Sequence, residues 1–153
     1  ATANKQADKL IFFIAIIALV ALDQIAKAAI RHFLPVSASI QVFGPVQLTH
    51  WANTGSAFGL LPGASIYIAL LSLVAVPIVI ALYLSGFLRQ RLAATLLVAG
   101  MVGNTIDRLG MGLVTDFIYI RPWPAFNLAD SFLTVGILLF AASAIRQHVF
   151  RKK

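Results

Sequence analysis

Every acidic side chain in this sequence is an aspartate, and there are five: Asp8, Asp23, Asp107, Asp116 and Asp130. Glutamate and cysteine are absent, which removes disulfides, thiolate metal sites and cysteine nucleophiles. His32, His50 and His148 show no ligand spacing, so metal-dependent hydrolysis is a poor fit and no metal site is expected. Two carboxylates held face to face are the remaining strong option. Such a pair shares one proton, leaving one member ionised as a base and the other protonated as an acid. Together they can activate a water against a peptide carbonyl.

The material around these acids is that of a membrane protein. Of the 153 residues 60% are hydrophobic and 11% charged, and the mean hydropathy is +0.92. A soluble domain carries about 45–50% apolar and about 25% charged residues. The isoelectric point near 10.4 does not point to nucleic acid, because the basic residues sit at the ends of apolar runs, where they set topology.

Four spans are expected, at residues 10–30, 66–84, 92–108 and 127–147, joined by loops at 31–65 and 109–126 that face one side. The uncharged parts of the third and fourth segments reach the roughly 20 residues of a full span only if their polar ends continue the helices. Lys5, Lys9, Arg89, Arg91, Arg146, Arg151, Lys152 and Lys153 share one side if both termini are cytoplasmic. Lys27, Arg31, Arg108 and Arg121 lie at or beyond the opposite ends. The first span is expected to be a retained anchor, since no small-residue cleavage site follows a short apolar core. The chain is expected to be one domain over 1–153. Its fold class is an all-α membrane bundle of four helices. The alternation in Ile40–Val42 and Val46–Thr49 around Gly44-Pro45 predicts a small hairpin in the first outer loop.

These elements bring polar groups to one depth. At about 1.5 Å of rise per residue from the cationic ends, Asp23 lies about 20 Å in and Lys27 about 26 Å. By the same count Asn104 and Arg108 lie about 18 and 24 Å in, and Asp130 and Asn127 about 22 and 27 Å. An ionisable side chain inside a span costs about 2.5–3.5 kcal/mol at the bilayer centre. Asp23/Lys27 and Asn104/Arg108 are i,i+4 pairs and Asn127/Asp130 is i,i+3, so each pair occupies one helix face. The three faces should meet inside the bundle near the outer surface. Asp116 lies in Val114-Thr115-Asp116-Phe117-Ile118, a β-type stretch able to fold back over this layer.

Five motifs stand in order: Asp23-Gln24-Ile25-Ala26-Lys27, Asn53-Thr54-Gly55-Ser56-Ala57-Phe58, Gly103-Asn104-Thr105-Ile106-Asp107-Arg108, Val114-Thr115-Asp116-Phe117 and Phe126-Asn127-Leu128-Ala129-Asp130. With them the chain closely resembles the bacterial lipoprotein signal peptidases (signal peptidase II) over essentially its whole length. The resemblance implies an intramembrane aspartic endopeptidase of the bacterial inner membrane, acting without a cofactor. It implies cleavage of a lipid-modified prolipoprotein before its lipidated cysteine, with Asp116 and Asp130 as the catalytic pair. Asn53, Gly55, Asn104, Arg108 and Asn127 match substrate-channel positions, and Asp23 with Lys27 matches a supporting pair. It further implies a β-cradle and a lid-like segment on the outer side, a monomer in contact with lipid, and peptide antibiotics that mimic the substrate as ligands. One departure is Thr115, where an aliphatic residue is commoner.

Plainer readings stand beside these roles. Asp130 can cap the fourth helix, Asp116 can be a solvated loop acid, and Asp107 can be a structural acid paired with its neighbour Arg108. Asp23 and Lys27 read as an internal ion pair and Asp8 as a solvated terminal residue. Asn53-Thr54-Gly55 is an ordinary turn by composition, Arg108 can snorkel to the interface, and Phe58 and Phe117 read as packing. Two rival functions remain: a proton-coupled carrier, and a Ser–Lys peptidase with Lys27 as base and Ser56 or Ser131 as nucleophile.

Overall fold

A computed structural model describes residues 2–55 and 63–150, with side chains over 5–55 and 63–146. Ser56, Phe58, Arg151, Lys152, Lys153 and the His148 side chain lie outside the described residues. The apolar runs form four helices: α1 (Thr2–Phe33), α2 (Ser65–Leu84), α3 (Arg91–Met111) and α4 (Leu128–Phe150). All four are long and apolar enough to cross a membrane. The polar-tipped ends do continue the helices, since α3 runs through Arg108 and α4 begins immediately after Asn127.

A three-stranded antiparallel sheet completes the fold, with β1 (Ser39–Phe43), β2 (Val46–Asn53) and β3 (Val114–Ile120) in the order β1-β2-β3. The expected hairpin is β1–β2, closed by the two-residue Gly44-Pro45 link. Gly44 has φ +49, a conformation that glycine adopts without the strain a side chain would bring. The β2–β3 register sets Trp51 opposite Asp116 and Asn53 opposite Val114. The segment after α3 is thereby laid back beside the first loop.

Helix α3 is central and packs against α1, α2 and α4. It buries Ala93, Ala94, Val98 and Ala99 in its first half and Asn104, Asp107 and Arg108 in its second. The apolar core joins Phe12 and Ile16 of α1 to Ala94 and Val98 of α3, with Val79, Ile80 and Tyr83 of α2 against it. The Phe12 and Tyr83 rings stack with centroids 4.1 Å apart. On α1, α2 and α4 many large apolar side chains point outward, such as Ile17, Leu71 and Leu138. Such a surface is suited to lipid, not water. At the α1 N-terminal end, Asp8 pairs with Arg91 at 2.6 Å although both are about half exposed. It is thus not merely solvated, but a pair so exposed contributes little to stability.

Glycine lets α3 and α4 approach closely. A Cβ on Gly100 would stand 2.5 Å from the Ala129 carbonyl oxygen and 2.6 Å from Leu133 Cγ, whereas one on Gly110 meets nothing within 4 Å. Gly100→Ala is therefore expected to force α3 and α4 apart and cost about 1–3 kcal/mol, read as a lower thermal unfolding midpoint in detergent. Gly110→Ala should leave that midpoint unchanged or raise it slightly, since alanine favours the helix. Equal midpoints for the two variants would refute this packing.

Candidate functional site

Three residues of α1 spaced by four, Asp23, Lys27 and Arg31, face α3. The Lys27 ammonium is fully buried and lies 2.8 Å from Asp23 Oδ2 and 3.1 Å from Asp107 Oδ2. Its third partner is Asn104 Oδ1, to which it donates at 3.0 Å. Asp107 also lies 3.6 Å from Arg31 and accepts from Gln24 Nε2 at 3.2 Å and the Thr115 backbone N–H at 3.3 Å. The partners of Asp107 are thus on α1 and β3, not the adjacent Arg108. Consecutive helical residues point in different directions, and here Asp107 turns toward α1 while Arg108 turns toward the cavity. Gly103 allows this closeness, since a Cβ there would stand 2.8 Å from Asp23 Oδ2.

Asp23 also reaches the third element of the site. Its Oδ1 accepts the backbone N–H of Ala129 at 3.0 Å, one of the unpaired donors of the first turn of α4. The same turn carries a reciprocal cap. Asn127 Oδ1 accepts the Asp130 N–H at 2.9 Å, and Asp130 Oδ2 accepts the Asn127 N–H at 3.1 Å. Asp130 is therefore the N3 partner in a capping box whose cap is Asn127, not the cap itself. Capping occupies one carboxyl oxygen and leaves the other for Asn104 Nδ2, which donates to Oδ1 at 2.8 Å.

Asp116 is brought beside Asp130 by β3. Asn127 Nδ2 donates to its Oδ1 at 2.7 Å and Asn53 Nδ2 to its Oδ2 at 2.9 Å. Asn53 in turn is held by the Gly55 N–H on its Oδ1 at 2.9 Å, the expected turn. Asn127 so bridges the two carboxyl groups. Burial, reinforced by the Asp130 charge, pushes the Asp116 carboxyl from an ordinary 3.8 up to about 7. The hydrogen bonds from Asn53 and Asn127 and the Lys27 charge oppose that rise.

A cavity of about 590 Å³ opens onto both carboxyl groups. Asn53 and Arg108 stand on its wall, and Leu133, Val135 and Ile137 of α4 continue it as an apolar face. A second cavity of about 420 Å³, over Gln47, Thr49, Trp51 and Tyr119 of the sheet, meets the first at Asn53 and Asp116. Asn104 and Asn127 are instead buried behind the carboxyl groups, 3% and 0% exposed. Arg108 is also buried, and its Nε has no hydrogen-bond partner. Phe117 is packed at 5% exposure. Ser131 Oγ donates to the Asn127 carbonyl, a helix-start contact. Gln24 and Arg31 had no assigned role in the site. Arg31 Nη1 donates to Thr115 Oγ1 at 3.1 Å, so the one departure from the family pattern supplies an acceptor for a cation. The i,i+4 spacing of Lys27 and Arg31 was the signal available for it.

Known proteins share both sequence and fold with this chain. A family profile described as signal peptidase (SPase) II matches residues 15–146. The chain is similar to the lipoprotein signal peptidase of Lactiplantibacillus plantarum, 37% identical over 93% of this chain and 99% of that protein. It is similar also to that of Desulforapulum autotrophicum, 39% identical over 86% of this chain and 89% of that one. A bacterial membrane enzyme solved by the in meso method at 2.3 Å superimposes with a TM-score of 0.85 at 28% identity, covering 90% of this chain and 88% of that one.

The Asp116 carboxyl is expected to titrate near 7, followed by carbon NMR of labelled aspartate. Asn53→Ala removes a donor that favours the ionised form, so the midpoint should rise further; a fall would contradict this geometry. The folded chain holds this proton between pH 3.8 and about 7 while the unfolded chain has released it. Its stabilising contribution is therefore complete below pH 3.8 and lost as the pH rises through about 7. Thermal stability should decline across that window, and less so in Asp116→Asn.

Proposed function

The chain belongs to the signal peptidase II family, and from that premise we propose that it is an intramembrane aspartic endopeptidase with Asp116 and Asp130 as its catalytic pair. Its substrate is a diacylglyceryl-modified prolipoprotein, whose signal peptide it removes by cutting before the lipidated cysteine. The observation that carries this reading is the bridging by Asn127 of the buried Asp116 carboxyl and the half-buried Asp130 carboxyl on the wall of one cavity.

The pair holds one proton between its two members. Water adds to the scissile carbonyl carbon and gives a proton to the ionised carboxylate, while the protonated member gives its proton to the carbonyl oxygen. The resulting gem-diol collapses: one hydroxyl returns a proton to the second carboxylate, the C–N bond breaks, and the first carboxyl protonates the leaving amine. Both acids end as they began, and no cofactor is required. Arg108 and Asn53, on the cavity wall, are placed to bind substrate carbonyls, and Gly55 holds Asn53 in position. The apolar face of α4 suits the hydrophobic signal segment, and peptide antibiotics that mimic the substrate would compete for the same space.

In the membrane this reading places the four spans in a single domain, monomeric among lipids, with both termini cytoplasmic. The sheet and the catalytic pair then lie near the outer face. A serine–lysine mechanism is disfavoured by Lys27, whose ammonium is surrounded by Asp23, Asp107 and Asn104 with no lone pair to offer. Asp116→Asn and Asp130→Asn are each expected to slow cleavage of a lipid-modified precursor by about 100-fold or more, assayed in micelles with folding checked by unfolding midpoint. Wild-type cleavage should also fall as the pH rises through about 7, where Asp116 loses its proton. Retained cleavage in either variant would sink the pair.

A further inference from the structure

The contacts around Asn104 form a directed chain. Lys27 Nζ donates to Asn104 Oδ1 at 3.0 Å, and Asn104 Nδ2 donates to Asp130 Oδ1 at 2.8 Å. An asparagine amide has an acceptor end and a donor end. Flipped, it would turn its NH2 toward the ammonium and its carbonyl toward the carboxylate, making two repulsive contacts. An ammonium has three donors and no acceptor, so Lys27 accepts only one orientation of this amide.

Asp130 by itself does not enforce that choice. Ionised, it accepts from the NH2; protonated, it can equally donate to the amide carbonyl. On the mechanism proposed above Asp130 changes protonation twice per turnover, so a partner of constant charge is needed to keep the amide still. Lys27 is fully buried and held on its other side by Asp23 and Asp107. It is therefore fixed in place and cannot swing toward solvent. Asn104 is 3% exposed and stands behind Asp130, away from the cavity wall.

The geometry points to Lys27 as a positioning residue for the reaction: acting through Asn104, it keeps an N–H donor aimed at Asp130 Oδ1 whichever protonation state Asp130 holds. Lys27 touches neither substrate nor the reacting atoms. This inference rests on the reading of Asp130 as catalytic and adds to it a route by which α1, which supplies no member of the pair, controls the chemistry.

A mutant cycle in the full chain, reconstituted in micelles with a lipid-modified precursor, tests it. Asn104→Leu removes the amide at similar volume. Lys27→Met is combined with Asp107→Asn so that one charge of each sign leaves together, and Asp107→Asn alone is the control for that companion change. Losing one hydrogen bond to a charged group should lower kcat about tenfold or more in Asn104→Leu. A similar loss is expected in the Lys27→Met pair, with KM held within about twofold in both because neither residue lines the cavity. The triple variant should be no slower than the slower of the two, because both changes cut the same path. Losses that multiply, a wild-type kcat in the Lys27→Met pair, or a KM effect without a kcat effect would each overturn the inference. If the Lys27→Met pair does not fold, Asn104→Leu decides alone, and retained kcat there refutes the route. The catalytic reading itself fails on a different result, cleavage by Asp130→Asn.

Discussion

The rest of the site depends on one buried charge, the ammonium of Lys27. A cation with no exposure is tolerable only where its partners offset the loss of water, and Asp23, Asp107 and Asn104 are all within hydrogen-bonding distance. Sliding α3 along α1 would take Asp107 and Asn104 away from the ammonium together, so the contact favours one register of the two helices. Asp23 extends the constraint to the first turn of α4 through the Ala129 N–H, and Asp107 extends it to β3 through Thr115. Every element that carries a carboxyl or asparagine of the site, save β2, is thus tied to the same few atoms.

From that anchor outward, the polar contacts are made by amides. Asn53, Asn104 and Asn127 each donate their NH2 to a carboxyl oxygen and each have the carbonyl occupied by a different donor: the Gly55 N–H, the Lys27 ammonium and the Asp130 N–H. A donor on the carbonyl side holds the amide in one orientation. For the pair proposed above, preorganisation of this kind would set the carboxyl groups before substrate arrives, which is where enzymes gain much of their rate.

Much of this was legible from spacing alone. A constant rise per residue was enough to put Asp23, Asn104 and Asp130 at one depth, because a helix converts sequence distance directly into position. Local alternation around Gly44-Pro45 sufficed for the hairpin, since a tight turn and its strands are adjacent in sequence. What was hidden was long-range or angular. The pairing of Trp51 with Asp116 joins residues far apart in the chain, and nothing local specifies it. The assignment of Arg108 as the partner of Asp107 was wrong for an angular reason: adjacency in sequence is not adjacency on a helix face. Arg31 was read for topology alone because its acceptor, Thr115, sits on a strand whose path the sequence leaves open. The layer was visible, but which donor meets which oxygen required the fold.

The partners of the five aspartates divide them by chemical consequence. Asp8 pairs with Arg91 at the far end of the bundle, and Asp23 and Asp107 are held by Lys27, with Arg31 beside the latter. Asp116 and Asp130 form no ion pair among the described residues; their oxygens accept only from asparagine amides and one backbone N–H. An ion pair fixes a carboxylate by charge and ties its position to the cation's. An amide N–H fixes its orientation without adding a charge. In a chain with so few acids, cations secure the framework and amides hold the two groups that the proposed mechanism requires to change charge.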